Sequence, residues 1–140
     1  MPLPLVASTH LVHTIDGAHL LVRRAGTRYF PGWLSCVAGH VEDGECPRTA
    51  LVREVEEEIG VRLVPDELAF RVVVHRRLPD RTYVDFFFVA GRLPHEPMIR
   101  EPDKISELVW ARPEDLRSEI VPYVAAALAS EDGFVAFSEA

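Results

Sequence analysis

Hydrophobic and polar positions alternate loosely from Leu5 to Thr14, β-branched residues are frequent there, and Asp16-Gly17 follows. Alternation that ends on an Asp-Gly pair predicts a strand running into a tight hairpin turn, so Ala18 to Arg24 is the expected return strand. Ala25 to Trp33 carries Gly26, Pro31 and Gly32 and predicts a loop, and Leu34 to Val37 a short strand. The period then changes. Leu51, Val52, Val55 and Ile59 fall together at about 100° per residue, which predicts a helix from about Pro47 to Ile59 with Gly60 as its stop. Val61 to Val64 reads as a short strand ended by Pro65. Leu68 to Arg77 and Thr82 to Arg92 read as a long antiparallel pair joined by Leu78-Pro79-Asp80-Arg81. After a proline-bearing loop, Pro94 to Lys104, come a strand at Glu107 to Ala111, a helical turn at Pro113 to Leu116 and an apolar helix from Ile120 to Ser130. The tail, Glu131 to Ala140, reads as an edge strand or a frayed end.

Strands dominate, with one helix in mid-chain and another near the end. The fold class expected is α+β, an α/β/α sandwich with a mixed β-sheet between helices, and not a doubly wound sheet, because strands and helices do not alternate regularly. The 140 residues show no internal repeat or linker and predict a single domain.

Charge narrows the partners. The net charge is −7, and an acidic surface lacks the Lys/Arg excess that releases counterions from a nucleic acid. A small phosphorylated ligand that brings a divalent cation remains compatible. The first residues show no basic segment followed by an apolar core, and no apolar run reaches membrane-span length. Two cysteines, Cys36 and Cys46, are too few for a disulfide framework. A cytoplasmic protein without nucleic-acid or membrane partners is the expectation.

One stretch resists a purely structural explanation. Residues 39–61 read GHVEDGECPRTALVREVEEEIGV, with four glutamates, at 54, 56, 57 and 58, inside five residues. Like charges three or four apart on a helix repel by a few tenths of a kcal/mol per pair, so a positive partner is needed. Glu54, Glu57 and Glu58 fall on one arc beside the apolar stripe, whereas Glu56 points elsewhere. Three carboxylates on an arc form an oxygen-only donor set, which suits Mg²⁺, or Mn²⁺, better than zinc. A plain solvated acidic face is the competing explanation. Against it stand Arg53 among the glutamates, Glu45 in the entry loop as its expected partner, and Gly39, which permits close approach to ligand or metal.

Gly39, Glu45 and Arg53-Glu54-Val55-Glu56-Glu57-Glu58-Ile59-Gly60-Val61 together resemble the signature box of the Nudix hydrolases, with every fixed position met. The resemblance extends more loosely from about residue 5 to 130 and includes Pro31-Gly32-Trp33 before the box. It implies a Nudix-type sandwich that cleaves a nucleoside diphosphate linked to another moiety. It implies that Glu54, Glu57 and Glu58 are catalytic and hold Mg²⁺ or Mn²⁺, with the Ala38 carbonyl as a further ligand. Gly39, Glu45, Arg53 and Gly60 would be structural. In the family an acidic residue from a distant loop often joins the metals, and Glu101 is the candidate here, with Glu96 and Glu107 as rivals. The chain departs from the family in having Ala38 where a second glycine often precedes the box. The family is often homodimeric, and the same assembly is open to this chain.

Substrate markers are thinner. Tyr83 lies too far past Val61 to resemble the family's dinucleoside-polyphosphate tyrosine, and Pro79 matches the ADP-ribose proline poorly. By elimination a nucleoside triphosphate, ordinary or oxidised, is expected to yield a monophosphate and pyrophosphate, with ADP-ribose or another nucleoside diphosphate derivative as the alternative. Tyr29, Trp33 and Trp110 are candidate stacking surfaces for the base, His40 and Arg24 candidate polar contacts. Phe86 and Phe88 lie on one strand face and Phe87 on the other, so at least one set is packing. Two other classes stay open. One is a non-catalytic nucleotide sensor, although such modules typically lose box glutamates. The other is an isomerase of the isopentenyl-diphosphate type, for which Cys36 is the only plausible nucleophile.

Overall fold

The structure, a computed structural model, describes residues 2–139. Two sheets meet in the middle of the molecule. The first has the order β5-β1-β7-β6-β9 and comprises β1 (Leu5–Val12), β5 (Ala38–His40), β6 (Leu68–Arg77), β7 (Thr82–Ala90) and β9 (Phe134–Ser138). It is mixed: β1 runs parallel to β7 and β6 parallel to β9, while β1–β5 and β6–β7 are antiparallel. The second is antiparallel around β3 (Ala18–Arg24), which pairs with β2 (Thr14–Ile15), β4 (Leu34–Ser35) and β8 (Ile105–Ala111).

Period-2 alternation divides the side chains between two cores. Leu11, Leu20, Val22, Val37 and Phe88 pack with Leu51, Val55 and Ile59 of α1 (Pro47–Ile59). Val12, Leu21, Val72, Val74 and Phe87 pack instead with Val124, Ala127 and Leu128 of α2 (Pro122–Ala129). Both sheets feed both cores, so together they act as the middle layer of the sandwich. Each fully buried aliphatic side chain contributes roughly 1.5–3 kcal/mol, and it is this stripe that holds α1 in place despite its like charges. Gly60 closes α1 in the left-handed region, φ 69°, and donates its amide to the Glu56 carbonyl at 3.0 Å.

Several local expectations are revised. The first strand breaks at His13, and only β2 and β3 form the hairpin around Asp16 (φ 51°) and Gly17 (φ 82°). Val61 to Val64 is not a strand: it leads into a 3-10 turn at Pro65–Glu67. The helical turn expected at Pro113 to Leu116 forms instead at Arg117–Glu119. The tail is a strand, β9, while Ala140, its last residue, lies outside the described residues.

Candidate active site

The box helix is fastened to the outer edge of β5. The hydrogen bonds Leu11 N–Val37 O and Val41 N–Ala7 O make Thr9↔Gly39 a hydrogen-bonded pair, so Ala38 and His40 direct their main-chain groups away from β1. The Ala38 main chain faces the Glu58 carboxylate and favours its charged form. The His40 carbonyl accepts from Arg53 Nη2 at 3.1 Å. Because β5 is an edge strand, the Ala38 carbonyl faces the same side as its amide, toward the carboxylates.

Arg53 is the fastener. It meets Glu45 through two hydrogen bonds, Nε to Oε2 at 2.8 Å and Nη2 to Oε1 at 2.9 Å, and its Nη1 reaches Glu54 at 2.8 Å and Glu57 at 3.4 Å. This fork geometry is what a guanidinium supplies and a lysine cannot. The Arg53 hydrogen bonds, helped by the Glu42 amide, hold the Glu45 carboxyl down at about 2. Glu45 and Arg53 thus join the entry loop and β5 to the helix. Glu56 points away and faces Arg62 at 3.4 Å on the surface.

The three carboxylates of the arc differ in environment. Glu57 is half exposed, at 51%, Glu54 only 13% exposed, and Glu58 is buried. Burial, with the Glu54 charge beside it, pushes Glu58 up to about 8, and burial likewise raises Glu54. Gly39 explains how Glu54 fits, because a Cβ at residue 39 would overlap the Glu54 carboxylate.

Glu101 joins this group. Its loop is docked on the helix end, with the Arg100 amide donating to the Glu58 carbonyl at 2.9 Å and the Met98 amide to the Ile59 carbonyl at 3.0 Å. Lys104 lies 3.6 Å from Glu101 and titrates above its ordinary value, chiefly through Glu101, with Glu54 and Glu58 adding to the field. Glu101 Oε1 is buried and has no hydrogen-bond partner. Glu96 lies instead beside His13 and Trp110, and Glu107 is paired with Arg23 at 2.8 Å.

The donors assembled here are all oxygens, and burial disfavours the charged forms of Glu54 and Glu58 in the absence of a cation. That chemistry fits a hard divalent ion. Among the described residues no three acidic, histidine or cysteine side chains yet converge on one point, since Glu54 and Glu57 turn to Arg53. The residues that could hold the ion are Glu54, Glu57, Glu58, the Ala38 carbonyl and Glu101.

Beside this cluster opens a cavity of about 800 Å³, lined among others by Ala38, Gly39, His40, Arg24, Tyr29 and Tyr83. A smaller cleft, lined by Arg24, Ala38, Cys36, Glu58 and Lys104, lies next to it. Arg24 and Ala38 border both. Of the expected substrate contacts, Arg24, Tyr29 and His40 are brought together here, and Trp33 and Trp110 are not. Trp33 packs on Phe30 with ring centroids 5.0 Å apart, and Trp110 packs on His13 at 5.7 Å, against a separate groove with Leu93 and Pro97.

The deep wall was not foreseen. Asp85 accepts hydrogen bonds from Arg76 at 2.9 and 3.2 Å and from Ser8, and lies 3.2 Å from His10 Nε2. Burial alone would raise this carboxyl, but His10 and Arg76 outweigh it and hold Asp85 below its usual range. The Arg76 guanidinium lies 3.8 Å from the Tyr123 ring centre and 4.2 Å from that of Tyr83. A signal did exist in the sequence: Asp85 interrupts the apolar strand VDFFFVA, and a carboxylate there is tolerated only with a partner.

The NUDIX domain model matches residues 4–129 of the chain. The chain belongs to the Nudix family. Curated Nudix relatives include the 8-oxo-dGTP diphosphatase of Escherichia coli K12, 29% identical over 107 residues covering 75% of this chain and 81% of the relative. The nucleoside triphosphatase NudI of Escherichia coli O139:H28 is 31% identical over 111 residues, 72% of this chain and 77% of that one. Among solved structures, the MutT NUDIX hydrolase from Burkholderia pseudomallei superposes with a TM-score of 0.81 at 25% identity, covering 89% of this chain and 96% of the other. The chain is thus a Nudix hydrolase with the α+β sandwich of that family. Among the described residues no helix is long and apolar enough to cross a membrane.

Proposed function

We propose that this Nudix hydrolase cleaves a nucleoside triphosphate, ordinary or oxidised, to the monophosphate and pyrophosphate in a Mg²⁺-dependent reaction, with Mn²⁺ as a substitute. The observation that carries the reading is the placement of the large cavity. Its tyrosines can take a base, and its lining residues Ala38 and Gly39 adjoin Glu58 and Glu54, so that phosphates attached to the base would lie next to the carboxylate cluster. The 8-oxo-dGTP diphosphatase and the NudI nucleoside triphosphatase among its relatives support the same substrate class.

A divalent cation held by these residues would supply neutralising charge to the phosphate oxygens and acidity to the attacking water. The chain's own residues do the rest. Arg24, at the border of cavity and cleft, orients the phosphates. Glu54 is locked against Arg53 and Gly39 and serves as a fixed ligand. Glu57, half exposed and held only by the longer Arg53 contact at 3.4 Å, is the carboxylate free to take the water's proton.

The isomerase reading is disfavoured, because Cys36 is a buried strand-end cysteine whose thiol is pushed up by that burial. The deciding experiment is turnover with Mg²⁺ on a panel of NTPs, dNTPs, oxidised dNTPs, ADP-ribose, dinucleoside polyphosphates and nucleotide sugars, scored by released phosphate and pyrophosphate. Pyrophosphate release from a triphosphate supports the proposal. Preferential cleavage of ADP-ribose redirects it, and tight binding without turnover favours a sensor.

A further inference from the structure

The family match ends at residue 129, yet the next element reaches the substrate cavity. β9 runs parallel to β6, pairing Val73↔Phe134 through Arg77↔Ser138, and the Glu139 amide continues the ladder by donating to the Arg77 carbonyl at 2.8 Å. The register brings the Glu139 side chain back over the sheet end. There the Tyr29 hydroxyl donates to Glu139 Oε1 at 2.5 Å and accepts from Arg76 Nη1 at 3.2 Å. Glu139 Oε2 also lies 3.8 Å from Arg76 Nη1. Its side chain is 18% exposed, so this is a largely enclosed contact.

Tyr29 transmits this arrangement in two directions. Arg24 donates from Nε to the Tyr29 carbonyl at 2.9 Å, and its guanidinium carbon stands 5.4 Å from the ring centre. Arg24 borders both the base cavity and the cleft beside Glu58. On the other side, Arg76 is bound to Asp85 and stacked on Tyr123. A hydroxyl that donates to one partner and accepts from another is held in one orientation. Without Glu139 the Tyr29 hydroxyl keeps the Arg76 bond alone, and the Tyr29 ring, beside which Arg24 lies at the end of β3, is less firmly held.

We propose that Glu139 is a positioning residue of the substrate site, fixing through the Tyr29 hydroxyl the wall of the nucleotide cavity formed by Tyr29, Arg24 and Arg76. The proposal rests on the nucleoside triphosphate reading above and assigns a share of nucleotide binding to a strand beyond the family match. Glu139 touches neither the carboxylate cluster nor the reacting atoms. Its loss acts on substrate affinity and leaves the chemical step nearly intact.

The test is a double-mutant cycle on the full chain with Glu139→Ala, Tyr29→Phe and the pair, together with Glu139→Gln. Steady-state kinetics and calorimetric binding of a non-hydrolysable nucleoside triphosphate are both recorded. Expected are a KM and a Kd each raised about tenfold for either single variant, the scale of one lost charge-assisted hydrogen bond, with kcat within about threefold of wild type. The double variant is expected to lose clearly less than the sum of the singles, because both remove the Tyr29–Glu139 hydrogen bond. Glu139→Gln, whose amide oxygen can still accept from Tyr29, restores most of the affinity. A merely structural strand would lower the melting temperature without moving KM or Kd, or would give additive effects, and either result overturns the proposal. If wild type binds triphosphate and Glu139→Ala binds it equally well, this proposal alone fails. If wild type binds no triphosphate, the proposed function fails and takes this one with it.

Discussion

The Glu54 carboxylate occupies the space that a side chain on Gly39 would fill. The glycine is not needed for a left-handed turn: Gly39 is absent from the positive-φ positions, and β5 is extended there. It is needed because a carboxylate from α1 packs directly on the strand backbone. Since the overlapping atoms are the far end of a flexible side chain, Gly39→Ala is expected to fold, with a melting temperature within a few degrees of wild type. Glu54 is displaced by about 1 Å or more, and turnover falls on the order of a hundredfold. Thermal melts and kinetics on one preparation check both halves.

Glu57→Gln separates chemistry from stability. Glu57 is half exposed and has one long ion-pair contact, and such pairs are worth about 0–1 kcal/mol. The variant is expected to keep the fold and melting temperature and lose turnover. Activity within about tenfold of wild type would remove Glu57 from the role of base. Glu56→Gln is the control, because Glu56 points to exposed Arg62 and away from the other carboxylates, and it should behave as wild type.

Arg53→Lys keeps the charge but not the fork. One ammonium cannot meet both Glu45 oxygens, Glu54 and the His40 carbonyl together. The melting temperature is expected to fall by on the order of 5 °C, and activity to fall as Glu54 and Glu57 lose their common partner. The Glu45 carboxyl sits at about 2 in the folded protein. Its contribution is therefore present above the ordinary glutamate range and is lost as pH falls through about 2. The part of the Arg53→Lys deficit that comes from Glu45 should be pH-independent between pH 5 and 9.

Glu58 has the opposite sign. Its folded value of about 8 lies above the ordinary 4.5, so the metal-free folded state binds more protons than the unfolded chain between those values. Stability from this group is complete below about 4.5 and declines as pH rises through about 8. Added Mg²⁺ requires the carboxylate, so its stabilising effect should be larger at pH 8 than at pH 6. Calorimetry of Mg²⁺ binding at pH 7 in two buffers of different ionisation enthalpy should show proton release. A stabilisation independent of pH would remove Glu58 from the ion's donor set.

Asp85→Ala strands Arg76 in a buried wall. Asp85 is fully buried and Arg76 nearly so, and removing one member of such a pair typically costs about 3–5 kcal/mol. The expected result is a destabilised protein in chemical denaturation. Asp85→Asn, which keeps an acceptor oxygen, should be milder.

The sequence by itself determined the box helix, its apolar stripe, its glycine stop and the division of glutamates between the arc and the surface. These depend on spacings of three, four and seven residues, and such spacings fix directions on a helix whatever surrounds it. The Glu45–Arg53 pairing was legible for a related reason, since both residues lie within one helix and its entry loop. Only the tertiary structure decided the rest of the site. Asp85 meets Arg76 because β6 and β7 pair with Val74 opposite Asp85 and Arg76 opposite Tyr83, and Glu139 meets Tyr29 because β9 joins the far side of β6. Trp110 falls outside the site because β8 pairs with β3 and carries its ring to the groove beside His13. Strand neighbours are chosen by long-range packing, which no local pattern encodes. Gly39 shows both limits. Its smallness foretold a close approach, but the atom that approaches, the Glu54 carboxylate, was settled only when α1 docked on β5.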